Sequence, residues 1–500
     1  MNVRGIAAAL VGVGGLLVIG GAWYTGTQVE STLNARIEEA NAQLASNWAG
    51  GNLVLELTDL QRNLFSSEAI FTAHLYGDDQ QTLSFSWVSQ IEHGPIPLSR
   101  LARLQLRPVL ARMASQLEPN DLVDRFFPGH EGAPLTSDVV MYYGGGLAGH
   151  ASIAPTHLES DTMRLSFSGL RMDIATDASA EKLRLKARTD NVQIATLAAQ
   201  PATLNLSGIR YETDLTTHVS GLHLGKSRLE LDLLEVLLPD DARVQVTQMV
   251  QTDELYEEHG MIAGNTRYDQ GPLTYNGEEL GSLSTRWSYS NLDPEALNSL
   301  GDLYLSAFTG APLDPADAIQ RVELAFATLL AGNPRLSLDS LELRTANGRS
   351  ELSLSADLSL PPSGELPSVE HAVEVLSRAS AKLQLSRSML RDISLMQGLV
   401  EPELDRQELA NQADMFAALV GEMAVALGLA VAEGEDSLVS DLQYVDGKLQ
   451  LNGKELDPAA LTALFALAMP QDAQSHEFSE DPLDGMTEEE IELLLGDWQN

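Results

Sequence analysis

Apolar and polar residues follow three patterns in succession along the chain, and each pattern predicts a different kind of element. The first is an apolar run from Gly5 to Tyr24 that contains no charged residue. Its length matches the roughly 20 residues that a helix needs to cross the hydrocarbon core of a bilayer. The second is a helical spacing of apolar residues at Val29, Leu33, Ile37 and Leu44. We therefore predict a transmembrane helix over 5–24 and a helical stalk over 25–48.

The third pattern is an alternation of apolar and polar residues, which begins after Gly51. A period of two is typical of strands that bury one face. It is clearest at Leu53, Leu55 and Leu57, at Leu183, Leu185 and Ala187, and at Leu352, Leu354, Ala356, Leu358 and Leu360. Asn347-Gly348 and Asp446-Gly447 favour tight hairpin turns. The pattern predicts an α+β fold dominated by an extended antiparallel β-sheet with inserted helices.

Three short sequences predict where inserted helices begin. Leu292-Asp293-Pro294, Leu313-Asp314-Pro315 and Leu456-Asp457-Pro458 each place a capping carboxylate before a proline that suits the first helical position. The similarity of LDPEAL at 292–297 to LDPAAL at 456–461 suggests a repeated unit of a strand followed by a helix.

The stretch from Met415 to Ala432 is a second apolar segment, in which Glu422 is the one charged residue. It could be a second membrane span or a buried helix of the body. A central acidic residue costs about 2.5–3.5 kcal/mol on insertion scales, which favours the buried helix.

The C-terminal part is acidic and predicts a flexible tail. Residues 470–486 carry five acidic residues and neither Lys nor Arg, which is typical of a mobile linker. A capping-box pattern at 487–490 then begins a short helix over 487–498. Leu494 and Trp498 on this helix either dock into a groove, of this chain or of a partner, or pack back on the body.

Charge around the first apolar run predicts its orientation. Arg4 precedes the run, whereas the first charge after it is Glu30, so the positive-inside rule places the N-terminus in the cytoplasm. The alternatives are a cleaved signal peptide, with Gly20 and Ala22 near the cleavage site, and a buried helix of a soluble domain, which the absence of polar residues from the run disfavours. The length of the run and Trp23-Tyr24 as an interfacial anchor favour an uncleaved signal anchor.

These elements together predict the organisation of the chain. A cytoplasmic end at 1–4, the anchor at 5–24 and the stalk at 25–48 precede a periplasmic body at 49–469. The body is either one unit or two subdomains that divide near 290–310. The linker at 470–486 and the helix at 487–498 follow. The predicted location is the bacterial inner membrane, crossed once through residues 5–24.

Composition limits the function classes. The formal net charge is −40 and the pI is about 4.4, which argues against nucleic acid or an anionic membrane surface as a general partner, since binding to either needs positive charge. Solubility or a saline habitat would also explain the acidity. The absence of cysteine excludes thiol catalysis, thiolate metal sites and disulfides, and it suits an oxidising compartment.

Motifs for common catalytic sites are missing from the sequence. It has no HExxH, no GxSxG and no P-loop. Gly144–Gly149 matches GxGxxG, but Pro155 lies where the helix of a dinucleotide site would run, so we predict a glycine-rich bend. The ten histidines are scattered, with only His218 and His223 close together. We therefore infer no catalytic residue, no metal site and no cofactor.

One basic cluster contrasts with the acidic chain. Arg100, Arg103, Arg107 and Arg112 lie within LSRLARLQLRPVLARM, and the spacing of the first three predicts one helical face. Guanidinium groups bind phosphate bidentately, so the cluster is a candidate for contacts with a phosphate or a lipid headgroup. Pairing with local acids, or plain solvation, is the alternative.

Several strings resemble the YdgA-like family of bacterial envelope proteins. They are Trp23-Tyr24-Thr25-Gly26 with Glu30, IEHGPIP at 91–97, LGKS at 224–227 and YVDGKLQLNGK at 444–454. The resemblance extends to about residue 465 and leaves out the acidic tail. It implies a protein anchored in the inner membrane with a periplasmic body and no established activity. It supplies no catalytic residues.

The HGPIP string adds one candidate residue, and two classes of function follow. Proline restricts itself and the residue before it, so His93 is expected where a strand ends in a rigid turn. Its role is architectural, or it contacts a ligand or partner at the mouth of a groove. We expect a non-enzymatic binding or scaffold module for a lipid or a partner protein. A hydrolase that uses Asp, Glu or His in a cleft of the β body is the alternative.

Overall fold

A computed structural model describes residues 52–456, apart from 77–81, 161, 180, 198–200, 240–241, 310–314, 363, 365, 367–373, 401–405 and 446, together with Ile37, Glu38 and Asn41. The anchor predicted at 5–24, the linker at 470–486 and the helix at 487–498 lie outside the described residues. Among the described helices, none combines the length and the apolar character that a membrane span requires.

The chain is dominated by β-strands, as the alternation predicts. The strands are β1 Asn52–Arg62, β2 Ser66–Tyr76, β3 Thr82–His93, β4 Ala111–Leu117, β5 Leu135–Met141, β6 Leu147–Ile153, β7 Thr156–Glu159, β8 Met163–Phe167, β9 Leu170–Thr176, β10 Lys182–Thr196, β11 Thr203–Thr217, β12 His223–Leu237, β13 Arg243–Glu258, β14 Met261–Tyr275, β15 Glu278–Leu292, β16 Arg335–Arg344, β17 Arg349–Leu358, β18 Leu376–Ser386, β19 Val431–Glu433, β20 Ser437–Val445, β21 Lys448–Leu451 and β22 Lys454–Leu456. All of them belong to one sheet with antiparallel pairing.

The sheet is a meander in which most strands pair with their neighbours in sequence. β1 to β6 pair in order, β6 pairs with β9, and β9 to β18 continue in order. The second half of β10 pairs with β8 instead, over Val192–Thr196. β18 pairs with β20, whose other edge is shared by β19 and β21. The sheet therefore continues without a break past the helical insertion between β15 and β16.

Helices follow or interrupt the strands at a few places. They are α1 Leu98–Ala102, α2 Asp121–Phe126, α3 Pro294–Thr309, α4 Pro315–Ala331, α5 Arg387–Val400 and α6 Arg406–Ala426. α3 and α4 form an insertion whose Ala296, Ala325 and Leu329 pack with Ile262 and Leu292.

The main hydrophobic core lies on the N-terminal strands. Phe71, Trp87, Met113 and Leu135 are buried there together with Ile37. The Asn41 side chain donates to the backbone carbonyl of Leu55 at 2.9 Å and accepts from the amide of Leu55 at 2.8 Å. Ile37 and Asn41, in the region predicted as a stalk, thus contact the sheet.

Several local predictions are confirmed. α3 begins at Pro294, and Asp293 Oδ1 accepts hydrogen bonds from the amides of Glu295 and Ala296 at 3.0 and 2.9 Å. α4 begins at Pro315. The Leu456-Asp457-Pro458 signal runs past the last described residue. Hairpins join β16 to β17 at Asn347-Gly348 and β20 to β21 at Gly447, and the glycines from Gly144 form the turn between β5 and β6.

The prediction of a buried helix over Met415–Ala432 is wrong in two respects. α6 ends at Ala426, and Val431 already belongs to β19. Leu409, Ala413 and Ala417 are buried, but Phe416, Leu419 and Met423 on the other side of α6 are about half exposed. The apolar composition of this stretch reflects a helix with one buried face rather than a helix surrounded by protein.

Asp392 joins α5 to the β16–β17 hairpin, and its charge provides a test of this junction. The carboxylate is almost fully buried and accepts from Thr345 Oγ1 at 2.6 Å, from the amide of Asn347 at 2.9 Å and from Asn347 Nδ2 at 2.8 Å. Burial opposes the charge of Asp392, but these hydrogen bonds outweigh it and hold the pKa of the carboxyl below its ordinary value.

We expect Asp392→Asn to lower the free energy of unfolding at neutral pH by about 1–3 kcal/mol, because donors then face an amide nitrogen. The folded pKa lies below the unfolded value of about 3.9, so the stabilisation is present above that value and is lost as the pH falls through the folded pKa. Urea unfolding of the wild type and the variant from pH 7 to pH 3 would show a difference that shrinks below about pH 4. A difference that stays constant over this range would contradict a charged Asp392.

Candidate ligand-binding face

The two faces of the sheet differ sharply from β10 onward. One face carries ion pairs between neighbouring strands. They include Arg184–Asp214 at 3.1 Å, Lys186–Glu212 at 3.0 Å, Arg210–Glu230 at 2.7 Å and Lys226–Glu254 at 2.9 Å. Exposed pairs of this kind contribute little stability, about 0–1 kcal/mol each. These pairs identify this side of the sheet as a charged, solvent-exposed face, which we call the charged face.

The opposite face is apolar, and the strand register shows that it continues from strand to strand. Trp287 on β15 lies opposite Leu338 on β16, Leu338 opposite Leu354 on β17, and Leu354 opposite Ala381 on β18. A parallel row joins Leu341 to Leu352 and to Leu383. Paired residues share a face, so these side chains form one surface, which we call the apolar face.

A β-bulge preserves the apolar face at its centre. The register shifts between Arg286 and Trp287, so that Asp339 is an extra residue on β16. Asp339 is exposed and accepts from Ser288 Oγ at 2.9 Å, while Leu338 and Leu341 keep to the same side of the sheet. Without the extra residue, Leu341 would project to the charged face.

The apolar face is continuous with the core at the N-terminal strands and becomes exposed beyond it. The register connects the buried Ile91, Met113 and Val139 to Ile174 and Leu185 through β6. Farther along, Leu229, Trp287, Leu336, Leu354 and Leu383 on the same face are 36–45 % exposed. Within the described chain, a surface that begins as a core thus ends as an open apolar patch.

Charge is absent from the most exposed part of the apolar face. On the described strands β15 to β18 its side chains are Leu, Ala, Ser, Thr, Trp and Tyr. On β13 the face is more polar, because Asp253 accepts from Gln251 Nε2 at 3.0 Å and from Thr266 Oγ1 at 2.8 Å. The part of this surface suited to an apolar ligand therefore lies on β15–β18, with a polar margin on β13.

His93 occupies the place that the HGPIP string predicts, since β3 ends there. Its amide donates to the carbonyl of Phe65 at 2.9 Å, and its Nε2 lies 3.1 Å from Ser67 Oγ. A serine beside a histidine is the start of a nucleophilic pair. Ser67, however, is only 3 % exposed, so its hydroxyl is closed to a substrate. These contacts favour a structural role for His93 at the end of β3.

The arginine cluster is divided by the fold, and the prediction that Arg100, Arg103 and Arg107 share one helical face is wrong. α1 ends at Ala102, so Arg107 lies beyond the helix and its guanidinium packs over the ring of Tyr142, 4.8 Å from the centroid. Leu104 takes a positive φ of 58°, which ends the helical path. Arg103 and Arg112 instead converge on one carboxylate.

That carboxylate is Asp138, and it forms a largely buried network with Arg112. Arg112 donates from Nε to Asp138 Oδ1 at 2.9 Å and from Nη2 to Oδ2 at 2.5 Å. Its Nη1 lies 3.6 Å from a Glu92 oxygen and donates to Ser99 Oγ at 3.0 Å, while Ser99 donates to Glu92. Arg103 approaches Asp138 at 3.6 Å. Burial opposes the charge of Arg112, but its carboxylate partners hold the pKa above the ordinary value.

The sequence candidates are thus dispersed. Arg112 is structural, Arg100 and Arg103 lie on or next to α1, Arg107 lies on an aromatic ring, and Leu494 and Trp498 lie outside the described residues. Sequence reasoning missed the apolar face, although the alternation at Leu352, Leu354 and Ala356 was its signal. Alternation identifies an apolar side of a strand but not whether another layer covers it.

Comparisons with known proteins agree on one family. A family model described as "Bacterial protein of unknown function (DUF945)" matches residues 2–459. Protein YdgA of Escherichia coli K12 is 22 % identical over 93 % of this chain and 97 % of its own length. The uncharacterized protein YihF of the same organism is 20 % identical over 91 % of this chain and 96 % of its own. An uncharacterized protein of Haemophilus influenzae is 21 % identical over 56 % of this chain and 79 % of its own. No solved structure matches the chain.

Proposed function

We propose that this chain, which belongs to the DUF945 family of bacterial proteins of unknown function, is a non-enzymatic module that shelters the acyl chains of a lipid. The observation that carries this proposal is the open apolar face on β15–β18, where Trp287, Leu336, Leu354 and Leu383 remain 36–45 % exposed. Removing such side chains from water gains roughly 25 cal/mol per Å² of apolar area.

The dimensions and chemistry of the apolar face favour an acyl chain. From β15 to β18 there are three strand spacings of about 4.8 Å each, or about 14 Å in total. The hydrocarbon core of a bilayer is about 30 Å thick, so an acyl chain from one leaflet extends about half as far. Protein interfaces carry about one hydrogen bond per 100–200 Å², whereas hydrocarbon needs none. The uncharged surface on β15–β18 therefore suits an acyl chain better than a protein partner.

The location in the bacterial envelope is part of the same proposal. The uncharged run from Gly5 to Tyr24 and the position of Arg4 support an anchor in the inner membrane with the body in the periplasm. An anchored body would have its apolar face within reach of phospholipid.

We expect a photo-crosslinking amino acid at Leu383 of the full chain, in growing bacteria, to form an adduct with phospholipid. The same amino acid at the exposed Gln384 projects to the charged face and should form none. Metabolic labelling with radioactive phosphate and mass spectrometry of the adduct would identify the lipid. Leu354→Glu should lower the yield of adduct tenfold or more, because a carboxylate facing hydrocarbon costs about 2.5–3.5 kcal/mol.

Ser353→Glu is the matched control for Leu354→Glu. It adds the same charge one residue earlier, on the face where Ser353 lies opposite Lys382. Its adduct yield should equal that of the wild type. An adduct of the Leu383 probe with another protein, or with residues 457–500 of this chain, would show that the apolar face is covered by protein and would refute the proposal.

A further inference from the structure

A loop at one end of the N-terminal strands has an unusual combination of charge and exposure. Between His93 and Leu117 the sequence holds four arginines and no acidic residue, in a chain with 71 acidic and 31 basic residues. Residues 101–108 are all exposed, and they include Leu101, Leu104 and Leu106. Solvent-exposed leucines next to arginines form a surface that is both apolar and cationic.

Backbone hydrogen bonds join the two ends of this loop to each other at its base. The amide of Gly94 donates to the carbonyl of Leu110 at 2.8 Å, and the amide of Val109 donates to the carbonyl of Pro95 at 2.9 Å. Residues 96–108 thus form an excursion between two chain segments that are fixed to each other. The loop that carries the exposed leucines is therefore anchored at both ends.

Two neighbouring turns add apolar residues at the same end of the sheet. The turn between β1 and β2 lies beside the base on one side, since Phe65 accepts from the amide of His93. The turn between β5 and β6 lies on the other side, since Met141 accepts from the amide of Leu110. We call the surface formed by these three segments the tip. Its exposed apolar side chains are Leu64, Phe65, Leu98, Leu101, Leu104, Leu106 and Tyr143.

Leu104 combines a highly exposed side chain with an unusual backbone conformation. It is 83 % exposed and has a φ of 58°, a left-handed conformation that a bulky residue rarely adopts. A strained backbone that projects a leucine into water gains nothing for folding. Such conformations cluster where a surface binds something.

We propose that the tip docks on the surface of an anionic phospholipid bilayer, where its leucines enter the interface and Arg100, Arg103 and Arg107 lie among the phosphates. Charge complementarity selects this occupant, because residues 94–117 hold four arginines and no acidic residue in a chain of net charge −40. Leucine and tyrosine beside arginine are the composition of interfacial segments. The inference is independent of the proposed acyl-chain site, since the tip and β15–β18 use different residues.

The test uses the full chain in vesicles that contain anionic lipid and lipid with a nitroxide quencher in the hydrocarbon region. Because the chain has no cysteine, Leu104→Cys and Val219→Cys each give a single site for a fluorescent probe. Val219 is fully exposed in the turn before β12 and serves as the matched position. We expect quenching at residue 104 to be several-fold greater than at residue 219, and to fall when salt is added.

Charge variants complete the test. Arg107→Gln should reduce the ratio of docked to free tip about fivefold, because each arginine near an anionic surface contributes about that factor. Arg321→Gln, at an exposed position on α4, should leave the ratio unchanged. Leu383→Glu, which blocks the acyl-chain site, should also leave it unchanged. Equal quenching at residues 104 and 219, or quenching at 104 that persists in vesicles without anionic lipid, would overturn the proposal.

Discussion

Arg112→Ala is expected to lower the free energy of unfolding by about 3–5 kcal/mol, since it leaves buried carboxylates without their cation. The side chains of Arg112 and Asp138 are 12 and 17 % exposed, and two short hydrogen bonds join them. Glu92 and Ser99 depend on the same guanidinium, so the loss would spread to the start of α1. Urea unfolding followed by circular dichroism would measure the difference.

Arg184→Ala is the matched control for this prediction. Arg184 also pairs with an aspartate, Asp214 at 3.1 Å, but the two side chains are 71 and 61 % exposed. An exposed pair of this kind contributes about 0–1 kcal/mol. Arg112→Lys tests geometry at constant charge, because an ammonium group cannot reproduce the forked contact with Asp138. Equal unfolding midpoints for Arg112→Ala and Arg184→Ala would show that burial of the network does not matter.

Features of the fold that depend on neighbouring residues could be predicted from the sequence. Asp293-Pro294 begins α3 because the capping carboxylate reaches amides only two and three residues ahead. Asn347-Gly348 turns the chain between β16 and β17 for an equally local reason. Alternation predicts strands because a pleated strand sends successive side chains to opposite faces. In each case the physical cause lies within a few residues.

Features that depend on distant parts of the chain could not be predicted. The apolar stretch after Met415 indicates burial, yet half of α6 faces away from its neighbours, and composition alone does not report which layers are present. The end of α6 did have a local signal, because Gly428 takes a φ of 72° just beyond it. Arg112 was identified as part of a basic cluster, but its partner Asp138 comes from another strand.

The candidate site likewise combines features with a local cause and features that depend on distant residues. The apolar side of β17 is evident from Leu352, Leu354 and Ala356, whereas the open face needs the four strands β15–β18 in register and a bulge at Asp339. The register depends on turn geometry and on how the apolar patterns of neighbouring strands match, so no single strand determines it. The sequence therefore predicts which residues are apolar or basic in the apolar face and the tip. It does not predict which strands and turns bring these residues together.

Gly94→Ala is expected to destabilise the protein by about 3 kcal/mol or more, because a well-packed site cannot take an added carbon without a backbone shift. A Cβ at Gly94 would lie 2.0 Å from the carbonyl oxygen of Val109 and 2.8 Å from that of Leu110. The shift would also break the hydrogen bonds that close the base of the tip. We therefore expect a lower melting temperature and faster trypsin cleavage after Arg100 and Arg103, whereas Pro108 protects the bond after Arg107. Gly144→Ala, with nothing within 4 Å of the added carbon, should change neither. Cleavage as slow as in the wild type would show that the tip does not depend on the close approach at Gly94.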